Sequence, residues 1–163
     1  MKIQKILIAV DDSKEADNAA AYGFGLAHSY KAHVGLVNIV EPIITSSTDA
    51  NLLTGSPFEP GLASDPEFIN IQKEASQNII QRTINNFAGD LEVTHFSEYG
   101  STADGIIDCA AEFNADLIVV GTQHRSGFDR LRMGSVAEHV VRQSKVPVLV
   151  VPLNESESPH QSA

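Results

Sequence analysis

The sequence of 163 residues predicts one domain of the open α/β class, with a parallel β-sheet and helices on both faces. Short apolar runs without polar alternation recur along the chain, which is typical of strands covered on both faces. Segments of helical character lie between these runs. The resulting order, β-α-β-α-β-α-β-α-β, implies right-handed crossovers that place helices on either side of one sheet.

Four of the predicted strands are short apolar runs, at residues 6–10, 34–40, 117–120 and 148–151. A fifth, at residues 91–96, alternates between apolar and polar side chains, so we expect it to be half exposed and near an edge. Pro147 and Pro152 flank the last run. Because proline has no backbone N–H to donate, this strand is also predicted at an edge.

The predicted helices cover residues 13–29, 64–87, 102–113 and 135–144. Three of them begin at a capping box, in which a polar side chain precedes a glutamate by three residues: Asp12 with Glu15, Ser64 with Glu67, and Ser135 with Glu138. The helix at 102–113 carries Cys109, the single cysteine. We interpret Cys109 as a small buried apolar side chain.

Residues 1–153 form the predicted domain, and two segments depart from its regular pattern. Residues 41–63 hold three prolines and two glycines, so we expect a long flexible loop. Residues 154–163 are polar and without periodicity, which predicts a disordered tail.

The composition excludes several classes of partner. There are 11 Lys and Arg residues against 21 Asp and Glu, a net charge of −10, which argues against nucleic-acid binding because phosphate contacts dominate that affinity. No run of about 18 apolar residues is present, so no membrane partner is expected. The first five residues lead directly into the first strand without a signal-peptide pattern, and we expect a cytoplasmic protein.

A ligand of an open α/β sheet binds beyond the carboxyl ends of the strands, where the strand order reverses. The first strand is followed by Asp11, Asp12 and Ser13, and the fourth by a segment that begins at Gly121. If these strands are neighbours, both segments face one crevice.

Residues 121–145 hold five basic and two acidic residues, a balance of +3, so the remaining chain carries −13. This segment is either a phosphate cradle at a helix N-terminus or a surface loop of solvated arginines.

Several familiar motifs are absent. No Gly-x-Gly-x-x-Gly follows the first strand, and neither Gly-Lys-Ser/Thr nor Gly-x-Ser-x-Gly occurs. The six histidines lack metal-ligand spacing. An acid pair after the first strand also resembles response-regulator receiver domains, but their aspartate after the third strand and lysine after the fifth are missing here. We therefore expect Asp12 to cap the first helix, leaving Asp11 to face the crevice.

Five segments together resemble the universal stress protein family over residues 3–152. They are residues 6–13 (Ile-Leu-Ile-Ala-Val-Asp-Asp-Ser), 100–103, 115–122 (Ala-Asp-Leu-Ile-Val-Val-Gly-Thr), 134–138 (Gly-Ser-Val-Ala-Glu) and 146–152. The resemblance implies a five-stranded parallel sheet in the order 3-2-1-4-5, Rossmann-like and of the adenine nucleotide alpha hydrolase-like type. It also implies a homodimer.

One branch of that family binds ATP through a spaced motif of Gly, two residues, Gly, nine residues and Gly-Ser/Thr. Gly121, Gly134 and Ser135 match this motif, whereas His124 stands where the second glycine belongs. A glycine there can adopt a positive φ and lets the backbone approach phosphate closely. A histidine disfavours the positive φ and the close approach, because its side chain causes steric clashes.

The resemblance further implies that the nucleotide is ATP, AMP or ADP. It also implies which residues bind this nucleotide. Asp11 would contact the ribose or a magnesium-bridged phosphate, the backbone of Ile39 would read the adenine edge, and Val10 would line the base pocket. The whole predicted site comprises Val10, Asp11, Ile39, Gly121, Thr122, His124, Arg125, Gly134, Ser135 and Val136.

Other functions stay open beside an ATP-binding regulatory module of the stress response. The second branch of the family lacks the glycines and acts as a dimeric stress-response protein, and His124 would then mark a degenerate pocket. An enzyme acting on adenine nucleotides is the third alternative. Because no general base for efficient turnover is evident, we expect at most slow ATP hydrolysis.

The homodimer has a physical explanation in the last strand. An apolar, unpaired edge invites another chain, and antiparallel pairing across a twofold axis would use Val146, Val148 and Val150. The alternative is that the long loop or the tail covers this edge.

Overall fold

A computed structural model describes residues 2–42, 66–122 and 134–153. Within these ranges the elements are β1 (Lys5–Ala9), α1 (Lys14–Tyr30), β2 (His33–Val40), α2 (Pro66–Phe87), β3 (Val93–Tyr99), α3 (Thr102–Phe113), β4 (Leu117–Thr122), α4 (Ser135–Gln143) and β5 (Val148–Pro152). The strand order is β3-β2-β1-β4-β5, and all neighbours are parallel. The predicted fold class and strand order are confirmed, as are the two predicted edge strands.

The sheet separates two apolar layers. Ile6 and Ile8 of β1 pack against α1 and α2, whereas Leu7 between them packs against α3 and α4, and all three are 0% exposed. Successive residues of a strand point to opposite faces, so a strand with helices on both sides needs apolar residues at every position. This is why the central strands are continuous apolar runs.

The predicted cap of α1 is wrong by one residue. Ser13 is the N-cap, and its Oγ accepts a hydrogen bond from the Ala16 amide at 3.1 Å. Asp12 points elsewhere because Arg82 of α2 donates to its Oδ1 at 2.8 Å. The Asp12 bond raises the pKa of the Arg82 guanidinium, and this ion pair ties α2 to the start of α1.

Two further boundary predictions are corrected. The N-cap of α4 is Gly134, so Ser135 is already helical, and Glu138 pairs with Arg142 at 2.8 Å instead of completing a capping box. The third strand begins at Val93, because the Leu91 amide bonds to a carbonyl in the turn after α2. The predicted cap Ser64, residues 43–63 of the predicted loop and the tail at 154–163 lie outside the described residues.

Cys109 lies buried in α3 and is 3% exposed. Burial raises the pKa of its thiol to about 11, with smaller contributions from nearby carboxylates. The thiol is therefore protonated near neutral pH, which agrees with an apolar core role. Among the described residues, no helix combines the length and apolarity needed to cross a bilayer.

Two glycines in α1 test the packing of this helix on the sheet. A Cβ at Gly23 would lie 2.6 Å from Ile8 Cδ1, whereas a Cβ at Gly25 would meet nothing within 4 Å. Both substitutions to alanine gain similar helix propensity, about 1 kcal/mol. We expect Gly25→Ala to raise the free energy of unfolding by ~0.5–1 kcal/mol and Gly23→Ala to lower it by ~1–3 kcal/mol, measured by urea unfolding. Equal effects of the two substitutions would contradict this packing.

Candidate functional site

A cleft of about 290 Å³ lies beyond the carboxyl ends of β1 and β4, where the strand order reverses. The first turns of α1, α3 and α4 close it from the side. The structure brings eight of the ten predicted site residues to this cleft: Val10, Asp11, Ile39, Gly121, Thr122, Gly134, Ser135 and Val136. The other two, His124 and Arg125, lie outside the described residues.

One end of the cleft is formed where β1 stops before its neighbour. The β1–β2 pairing ends at Ala9 and Val37, whereas β2 continues along β3 to Val40. Ile39 therefore lies past the last paired residue of β1, and it lines the cleft. Asn38, only 5% exposed, donates through Nδ2 to the Val10 carbonyl at 2.8 Å, which fixes the end of β1 against β2.

Asp11 occupies the turn between β1 and α1. Its Oδ1 accepts a hydrogen bond from the Ser13 amide at 2.8 Å, so the carboxylate is held in a defined position while remaining exposed. An exposed carboxylate of this kind can accept from a ligand hydroxyl or contact a cation. The described residues contain no group of three or more His, Cys, Asp or Glu suited to a metal ion.

Gly121 has a packing role that the sequence did not reveal. A Cβ at this position would lie 2.6 Å from the carbonyl oxygen of Glu15, a backbone atom in the first turn of α1. Only glycine lets β4 approach α1 this closely. Gly121 thus sets the position of α1 beside the cleft, whatever else it contacts.

The opposite end of the cleft is the N-terminus of α4. Gly134, its N-cap, makes no side-chain capping bond, and its own amide donates to Thr122 Oγ1 at 3.0 Å. The bond to Thr122 joins the end of β4 to the start of α4. Backbone N–H groups at an N-terminus without a capping side chain, reinforced by the helix dipole, form a favourable site for an anion.

Sequence reasoning missed Thr102 and Glu41, which lie beside the Ile39 end of the cleft. Thr102, the first residue of α3, lines the cleft, and its Oγ1 donates to Glu41 Oε1 at 2.5 Å. The Thr102 amide also donates to the same oxygen at 3.4 Å. The position of Thr102 at the start of a helix that directly follows β3 could have indicated that it lies near the cleft. Its bond to Glu41 could not be predicted, because the two residues are 61 positions apart in the sequence.

Comparison with known proteins agrees with this fold. The profile of the Universal stress protein family matches residues 2–152. A universal stress protein of Methanocaldococcus jannaschii is 31% identical over 150 residues, which cover 91% of this chain and 81% of that protein. A Staphylococcus aureus relative is 33% identical over 153 residues, covering 93% of this chain and 86% of the relative.

Solved structures show the same fold at lower identity. A protein of the universal stress protein family from Burkholderia pseudomallei has a TM-score of 0.69 at 22% identity, covering 93% of this chain and 98% of that one. A universal stress protein from Archaeoglobus fulgidus in complex with dAMP has a TM-score of 0.60 at 21% identity, with coverage of 93% and 99%. A universal stress protein in complex with cAMP has a TM-score of 0.58 at 19% identity, with coverage of 93% and 98%.

We expect the two motif glycines among the described residues, Gly121 and Gly134, to differ in their contribution to the stability of the fold. A Cβ at Gly134 would come no closer than 3.6 Å to Thr122 Oγ1, an ordinary contact, unlike the clash at Gly121. We expect Gly121→Ala to lower the free energy of unfolding by ~1–3 kcal/mol and Gly134→Ala to lower it less, by about 0.5–1 kcal/mol, because alanine is a poorer N-cap than glycine. Urea unfolding monitored by circular dichroism measures both. A neutral Gly121→Ala would show that α1 does not depend on this contact.

Proposed function

This chain belongs to the universal stress protein family, and we propose that it binds an adenine nucleotide, ATP foremost, in the cleft beyond β1 and β4. The observation that carries the proposal is the convergence on one cleft of eight residues that the family resemblance implied, between an open strand edge and a helix N-terminus. The strand edge can hydrogen-bond to a base, and the helix N-terminus can bind phosphate, so the two ends of the cleft match the two ends of a nucleotide.

The phosphates would lie at the N-terminus of α4. Support comes from the backbone groups around Ser135 and Val136, which border the cleft and carry the positive end of the helix dipole. The chain as a whole carries a net charge of −10, so a fixed, local attraction is needed to hold an anion against that background.

The base would lie at the opposite end, against the backbone of Ile39 and the side chain of Val10. Support comes from the unpaired stretch of β2 past the end of β1, which can present backbone donors and acceptors to a base edge. Asp11 between the two ends would accept from a ribose hydroxyl or contact a phosphate-bound magnesium ion. Two structural neighbours, in complex with cAMP and dAMP, support an adenine nucleotide as the ligand class.

The rival function is a stress protein with a degenerate pocket, in which His124 replaces the motif glycine. The nucleotide proposal is favoured because Ile39, Thr122, Gly134 and Ser135 line one cleft, and one end of this cleft is a helix N-terminus without a capping side chain. We further propose that bound ATP serves as a regulatory signal in the cytoplasm and is hydrolysed slowly at most.

A charge placed at the start of α4 tests the proposed phosphate site. Ser135→Asp would put a carboxylate at the helix N-terminus, where it stabilises the helix by roughly 0.3–1 kcal/mol but repels a phosphate. We expect calorimetric titration of the wild type with magnesium and ATP to show binding, and Ser135→Asp to weaken it at least about tenfold without lowering Tm.

Ser135→Asn is the matched control, since asparagine has the shape of aspartate without its charge. It should weaken ATP binding much less than Ser135→Asp does. Absence of any heat or thermal shift in the wild type at millimolar ATP would favour the degenerate-pocket alternative. Equal losses in both variants would mean that size, not phosphate charge, matters at this position.

We also propose a homodimer formed through β5. Support comes from the position of β5 at the edge of the sheet and from Val146, Val148 and Val150, which are only partly buried against the α3–α4 layer. An edge strand with accessible apolar side chains is suited to pairing with a second copy.

A substitution on β5 tests this interface. Val148→Asp should shift the protein from dimer to monomer, because Val148 lies on the sheet face that packs against α3 and α4, and a carboxylate there would be desolvated where the two copies meet. Light scattering coupled to size exclusion measures the mass, and circular dichroism checks the fold. Val141→Asp is the control, since Val141 lies on α4 with 43% exposure. A dimer that survives Val148→Asp in folded protein would place the interface elsewhere.

A further inference from the structure

The strongest unassigned feature of the cleft is the hydrogen bond between Thr102 and Glu41. Thr102 Oγ1 donates its single proton to Glu41 Oε1 at 2.5 Å. A threonine hydroxyl has one proton and two acceptor lone pairs. While the bond to Glu41 holds, the hydroxyl of Thr102 can therefore only accept from a ligand.

Thr102 lies at the Ile39 end of the cleft. Thr102, Ile39 and Ile106 line the cleft together. Helix α3 approaches β2 closely here, because a Cβ at Gly105 would lie 2.6 Å from Ile39 Cδ1. The first turn of α3 is thus held beside the stretch of β2 that continues past β1.

We propose that Thr102, oriented by Glu41, selects purines that carry a 6-amino group over purines that carry a 6-oxo group. This inference rests on the proposed function, in which the base lies at the Ile39 end of the cleft. The amino group of adenine has two N–H donors, so the Ile39 backbone can take one and Thr102 Oγ1 the other. Hypoxanthine or guanine would bring a carbonyl oxygen towards an oxygen that has no proton to offer.

The selection depends on Glu41 because a free hydroxyl would rotate to suit either base. To donate to a 6-oxo group, Thr102 would have to give up a hydrogen bond to a carboxylate. Charge-assisted bonds of this kind are about twice as strong as neutral ones. Glu41 therefore acts as a positioning residue, and Thr102 contacts the base.

The test compares ATP with ITP, which differ at the 6-position and in the protonation of the neighbouring ring nitrogen. Calorimetric titration of the full chain gives both dissociation constants. The Ile39 backbone contributes to the preference in every variant, so the change caused by a Thr102 substitution isolates the hydroxyl. We expect wild type to prefer ATP and Thr102→Val to lose about tenfold of that preference, the size of one net hydrogen bond.

Three further variants sharpen the test. Thr102→Ser keeps the hydroxyl and should retain the wild-type preference. Glu41→Ala frees the hydroxyl to donate and should tighten ITP binding relative to ATP. Ser101→Ala removes the neighbouring hydroxyl, which makes no side-chain capping bond, and should leave the preference unchanged.

The outcomes separate the two proposals. If wild type binds ATP and Thr102→Val keeps the full preference in a folded protein, this inference is overturned while the proposed function stands. If wild type binds ATP and ITP equally, the inference also fails alone. If wild type binds neither nucleotide, the proposed function fails and the inference with it.

Discussion

The site depends on one constraint, the early end of β1 beside a longer β2. Because β1 stops pairing at Ala9, β2 continues past it, paired only with β3, and a cleft opens at the point where the strand order reverses. The buried Asn38 holds this geometry through its bond to the Val10 carbonyl at 2.8 Å. A buried amide that lost this partner would cost about 1–3 kcal/mol, so the end of β1 is firmly placed.

Among the residues that the structure describes, backbone groups supply the positive end of the cleft at the start of α4. Within the described part of residues 121–145, Arg142 is engaged by Glu138 at 2.8 Å and so belongs to the surface of α4. The start of α4, in contrast, has backbone N–H groups beside the cleft and no capping side chain at Gly134. A helix N-terminus of this kind gives an anion site of fixed direction within a protein of net charge −10.

The sequence predicted the features that depend on local or periodic patterns. The central strands were recognisable because both faces are covered by helices, which makes every residue of a run such as Ile6–Leu7–Ile8 apolar. The residues of the cleft were predicted through a family resemblance, and the fold brings eight of them together.

The features that could not be predicted from the sequence depend on contacts between residues that are far apart along the chain. Asp12 does not cap α1 because Arg82, 70 residues away, takes its carboxylate. Gly121 was assigned to phosphate binding alone because its contact with the Glu15 carbonyl exists only after α1 packs on β4. The same holds for the Thr102 bond to Glu41, which links two elements that are remote in sequence.

A crystal structure of the protein grown with magnesium and ATP tests the central claim most directly. We expect electron density in the cleft with the base against Ile39 and Thr102 and the phosphates at the N-terminus of α4. Density in the reverse orientation, at another surface, or an empty cleft in protein saturated with ATP would contradict it.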